Sequence, residues 1–143
     1  MPKIENCSWA DFQRGNHRIS PVNAVAIQIV DPGDVPPQPA EDCFAKRYSF
    51  QFLDAEEATR FFPEEKLITD EQAEEIAHIL KTALANDTDV LVHCVVGACR
   101  SGAVVEIAEM LGFDECFRYR LPNIRVKHKL MQAADLSICE RNK

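Results

Sequence analysis

Long apolar runs are missing from this 143-residue chain. No stretch approaches the roughly 18–20 residues that a membrane-crossing helix needs. The opening "MPKIENCSWADF" lacks the apolar block of a secretory leader. Together these absences predict a soluble, cytoplasmic protein with no membrane partner. Closely paired cysteines are missing too. Cys7, Cys43, Cys94, Cys99, Cys116 and Cys139 form no Cys-x-x-Cys unit, and a chain of this size builds a core without disulfide staples. Free thiols in a reducing compartment are expected. The four histidines are scattered, so metal-ligand spacing is lacking, and neither a metal nor a cofactor is expected.

Positive charge is in deficit. Sixteen Lys and Arg stand against 23 Asp and Glu, for a net charge of −7. That balance disfavours nucleic acid as a partner. One segment departs from it: "RYRLPNIRVKHK", residues 118–129, carries five Lys and Arg and no acid. It reads either as a solvated face or as a rim that attracts an anionic substrate.

What is present fits one domain over residues 1–143. Residues 1–20 suggest no element. "AVAIQIV" (24–30), "KRYSFQF" (46–52) and "DVLVH" (89–93) read as strands. "DPGDVPPQPAED" (31–42) is a loop by its Pro and Gly content. Residues 55–68 stay ambiguous, because Pro63 breaks any long helix there. Thr69 and Gln72 have capping-box spacing, and Ala73, Ile76, Ala77, Leu80, Ala83 and Leu84 follow on one helical face. A helix is expected from about Ser101 to Leu111, stopped by Gly112. Another opens at Pro122-Asn123 and is expected to reach toward Cys139. Strands alternating with helices predict an α/β fold. The expectation is a single-domain, central, mostly parallel sheet with helices on both faces.

The stretch "VLVHCVVGACRSGAVV", residues 90–105, carries the chemistry. A loop that joins a strand to a helix N-terminus is a ready anion site, because its N–H groups are unpaired and the dipole favours negative charge. Gly97 allows the turn. Arg100 brings a planar fork that matches two phosphoryl oxygens. Cys94 sits on the floor of this cradle, where the same field favours a nucleophilic thiolate. His93 is placed to brace the loop and aid the thiolate. Ser101 is placed to hydrogen-bond the sulfur when it leaves. The phosphate-binding residues expected are Val95, Val96, Gly97, Ala98, Cys99 and Arg100.

"HCVVGACRS" resembles the His-Cys-x5-Arg-Ser/Thr signature loop of the protein tyrosine phosphatase superfamily. "RYRLPNIRVKHKL" is similar to the Arg…Pro-Asn…Leu ending of its compact dual-specificity branch, in the small bacterial and phage type, with Val126 and Leu130 at the apolar positions. The resemblance spans roughly residues 24–138. It implies a phosphate-binding loop between a central strand and a helix. It also implies metal-free hydrolysis of a phosphorylated protein or small phosphate ester through a phosphocysteine at Cys94. Arg100 and the loop amides would stabilise the transferring group, and a carboxylic acid would protonate the leaving oxygen. A phosphopeptide-binding module without turnover is the alternative. A persulfide-handling sulfurtransferase is a third reading.

For the acid, the resemblance points to a loop after a strand, well upstream of the cysteine. Asp54 follows the second strand, forty residues before Cys94. Asp70, Asp31, Glu56 and Glu57 remain alternatives. Asp70 is already accounted for by its place in the first turn of a helix. Cys99 has two readings as well: a small apolar residue packed under the turn, or a thiol that captures oxidised Cys94 as a disulfide.

Overall fold

The computed structural model describes residues 1–136. Four strands form one sheet: β1 (Ile4–Cys7), β2 (Val25–Val30), β3 (Lys46–Gln51) and β4 (Val90–His93). Their order is β1-β4-β2-β3. Every pairing is parallel, so the sheet is more uniform than the mostly parallel one expected. The helices are α1 (Trp9–Arg14), α2 (Asp70–Ala85), α3 (Arg100–Leu111) and α4 (Ile124–Ala133), with a 3-10 turn at Glu64–Lys66.

Burial follows the pleat, which sends successive side chains to opposite faces. Ile27 and Ile29 of β2 and Val90 and Val92 of β4 join the larger core with Ile76, Leu80, Val104, Ile107 and Leu130. Ala26 and Leu91 join a smaller cluster with Cys7, Phe12, Ile19 and Ala24. Because both faces of these inner strands are buried, β2 and β4 are mostly apolar, with Gln28 and His93 as their buried polar residues. Ile76 and Leu80 have no exposure at all. Replacing either by Ala would cost roughly 2–5 kcal/mol.

The expected caps are in place. Thr69 Oγ1 accepts from the Gln72 N–H at 3.1 Å, and Gln72 Oε1 accepts from the Thr69 N–H at 3.0 Å. Gly112 closes α3 at φ 129°. The last helix ends at Ala133, with Ala134 as its cap, and does not run on as expected. Cys139 lies outside the described residues.

Residues 1–20, left unassigned by the sequence, supply β1 and α1. Only four residues long, "IENC" is too short and too polar to show a period. It pairs along β4 from Ile4↔Val90 to Cys7↔His93. Its two polar side chains are buried because the chain supplies their partners. Glu5 accepts from Arg118 and from the Arg18 N–H. Asn6 donates to the carbonyls of Gly97 and Tyr119.

Among the described residues, no helix is long and apolar enough to cross a membrane. Nor does any group of three or more His, Cys, Asp and Glu side chains there stand close enough to hold a metal ion.

Candidate active site

The chain leaves β4 at His93, turns through residues 94–99 and enters α3 at Arg100. Gly97 is required at the turn. Its φ is +87°, and a Cβ there would lie 2.5 Å from the Ser8 nitrogen and 2.6 Å from the Cys7 carbonyl carbon.

The carbonyls of this loop are tied to groups outside it. Val95 O accepts from the Trp9 N–H at 3.2 Å. Gly97 O accepts from Asn6 Nδ2 at 2.7 Å. Ala98 O and Cys99 O accept from the N–H groups of Leu121 and Asn123, each at 3.0 Å. A trans peptide points its N–H opposite the preceding C=O. The amides of Val96, Ala98, Cys99 and Arg100 therefore face away from these outer partners, and they make no hydrogen bond among the described residues. The Gly97 N–H donates to Cys94 Sγ at 3.2 Å. Free amides at a helix start suit an anion.

Cys94 is buried at 2% exposure. Its Sγ lies 3.2 Å from the hydroxyl oxygen of Ser101, which is wholly buried. Behind it, His93 is also wholly buried. Burial, and secondarily the Arg100 charge, push the imidazole down to about 4 against the pull of its contact with the Cys94 carbonyl. The ring is therefore neutral near pH 7. Nδ1–H donates to Cys94 O at 3.3 Å, and Nε2 accepts from Gln28 Nε2 at 3.2 Å. This arrangement braces the loop. It supplies the sulfur with no positive charge, so the charge at the site comes from Arg100.

Arg100 is 3% exposed. Its Nη1 donates to Asp31 Oδ1 and to the Phe52 carbonyl, both at 2.7 Å. Its Nε is buried with no partner. One corner of the guanidinium is thus anchored, and a buried donor is left open.

Among the carboxylates of the described residues, Asp54 and Asp31 are brought to the loop. Asp54 Oδ1 accepts from Asn123 Nδ2 at 2.7 Å, and Asn123 also donates its N–H to the Cys99 carbonyl. Cys99 is half-buried. Burial first, then the Asp54 carboxylate beside it, push its thiol up. Asp31 is committed to Arg100. Glu56 accepts from the Ile124 N–H at 2.8 Å. Asp70 is bound to Lys129 at 2.7 Å, on the exposed first turn of α2.

The basic run 118–129 is not a free cationic rim. Arg118 pairs with Glu5 and Asp11. Arg120 pairs with Glu106 and Glu109. Arg125, Lys127 and Lys129 pair with Glu64, Glu106 and Asp70. All five cations are matched by acids distant in sequence, which the sequence alone does not reveal. Asn6 and Gln28 were missed for the same reason. Their roles arise only from strand pairing, and no local signal marks them.

A scan against protein-family models found no match, and neither did a search of curated proteins at a significant level.

Proposed function

We propose that this chain is a cysteine-dependent phosphate monoester hydrolase of the protein tyrosine/dual-specificity phosphatase type, on a sheet covered by helices on both faces. One observation carries the reading. The open, buried Nε of Arg100 and the amides of Val96, Ala98, Cys99 and Arg100, unpaired among the described residues, lie in the same turn of chain as Cys94 Sγ. A tetrahedral dianion supplies the acceptors those donors lack.

In this mechanism Cys94 attacks phosphorus and the ester P–O bond breaks. Asp54 gives its proton to the leaving oxygen. Arg100 and the loop amides hold the equatorial oxygens as charge builds. Water then attacks the phosphocysteine, Asp54 takes the proton, and sulfur leaves with the Ser101 hydroxyl hydrogen-bonded to it. His93 and Asn6 hold the loop in shape, and Asn123 holds Asp54 to it. The test is turnover of a small aryl phosphate with mass analysis of a rapidly acid-quenched reaction. Active protein with a phosphate adduct on the peptide carrying Cys94, and no turnover in Cys94→Ser, is the expected result. Turnover that survives Cys94→Ser would overturn the mechanism.

A further inference from the structure

Between α3 and α4 the chain passes the loop as an irregular segment, bent at Arg118, in which exposed and half-buried side chains alternate. Phe117, Tyr119 and Leu121 are exposed at 89%, 76% and 63%. Arg118 and Arg120, between them, turn to Glu5, Asp11, Glu106 and Glu109. The segment is fastened against the loop. Asn6 Nδ2 donates to Gly97 O and to Tyr119 O, at 2.7 and 3.1 Å, and the Leu121 N–H donates to Ala98 O. On the loop itself, Val95 and Val96 are exposed. A row of large apolar side chains held out to water beside a reactive loop marks a contact surface.

We infer that this strip seats the polypeptide that carries the phosphate: an extended segment with apolar side chains next to its phosphorylated residue. The inference rests on the hydrolase reading above. Two observations choose the occupant. The first is charge. Every cation of the 118–129 run is paired with an acid, and the chain carries a net −7. A polyanion such as an inositol phosphate headgroup or an RNA end finds no free charge along the strip. An apolar-flanked monoester needs only the loop. The second is the backbone. The N–H groups of Phe117, Arg118, Tyr119 and Arg120 make no hydrogen bond among the described residues. Carbonyls of a bound peptide can accept from these donors while its side chains lie on Tyr119 and Leu121.

The test compares kcat/KM on two phosphotyrosyl peptides, one flanked by Leu and Ile and one by Glu and Asp, with that on a small aryl phosphate. The apolar-flanked peptide is expected to lead the acidic one by about tenfold, since the strip removes part of an aliphatic side chain from water. In the Tyr119→Ser/Leu121→Ser double variant the ratio of peptide to small-ester kcat/KM is expected to fall about tenfold, through KM. Equal rates on the two peptides would overturn the inference, as would an unmoved ratio or faster hydrolysis of a phosphoinositide in vesicles. If the wild-type chain hydrolyses none of these esters, the hydrolase reading fails. Equilibrium binding of the apolar-flanked phosphopeptide then decides the strip: affinity lost in the double variant supports it, and no binding or equal binding sinks it.

Discussion

Asp31 holds Arg100 by a single nitrogen, with Oδ1 2.7 Å from Nη1. The carboxylate is half-exposed while the guanidinium is almost fully buried. The pair therefore anchors one corner of the fork and leaves Nε free, which fits Asp31 for aiming Arg100 and unfits it for protonating a leaving group. Asp31→Asn should weaken inhibition by orthovanadate and by inorganic phosphate about tenfold. That is less than the full loss of a buried partner, because solvent reaches Asp31. Inhibition constants measured on both proteins check this, and unchanged constants would remove Asp31 from the site.

Asp54 reaches the loop through Asn123 and Cys99. If it is the acid, Asp54→Asn slows turnover of an alkyl phosphate by ~10²–10⁴-fold. A substrate whose leaving group needs no proton should slow far less. Steady-state rates across a series of leaving groups give the comparison. A uniform change across that series would assign the proton to another residue.

Gly97 and Gly33 both have positive φ, at +87° and +92°. A Cβ at Gly33 meets nothing within 4 Å, whereas one at Gly97 runs into the backbone of Cys7 and Ser8. Gly33→Ala should cost only the left-handed strain, roughly 1–2 kcal/mol. Gly97→Ala should cost more than that by about 1–3 kcal/mol of overpacking and should also abolish turnover. Urea unfolding of the two variants separates strain from clash.

His93 has its ordinary value of 6.5 in the unfolded chain and about 4 when folded. Between those values the unfolded state binds the extra proton, so stability rises with pH through this window. The contribution is complete above pH 6.5 and is lost as pH falls to about 4. It amounts to on the order of 3 kcal/mol. His93→Gln should flatten the pH dependence of the urea midpoint over this range relative to wild type. Parallel curves for the two proteins would show that another group carries it.

The sequence disclosed those parts of the molecule whose causes are local. The caps at Thr69 and Gly112, the apolar run of β4 and the turn at Gly97 each state their geometry within a few residues. Cys94, Gly97, Arg100 and Ser101 stand out together because one loop and the first turn of α3 contain them. β1 was not, since a four-residue strand with Glu and Asn inside it becomes reasonable only when Arg118 and Gly97 arrive to satisfy them. The roles of the carboxylates depended on which strand end stands beside which. Asp31 and Asp54 are near-equivalent as residues that follow strands, yet parallel pairing of β2 and β3 gives one to Arg100 and the other to Asn123. The basic run was misleading because charge counted along a chain ignores acids contributed from the first strand and from α2 and α3.

Asn6 and Asn123 grip the loop from segments before and after it in sequence, one through the carbonyl of Gly97 and the other through that of Cys99. A growing polypeptide that has already made Cys94 and Arg100 still lacks the second clamp. The shape of the loop thus depends on contacts far apart in sequence, so a change at Asn6 and a change at Asn123 reach the same turn of chain.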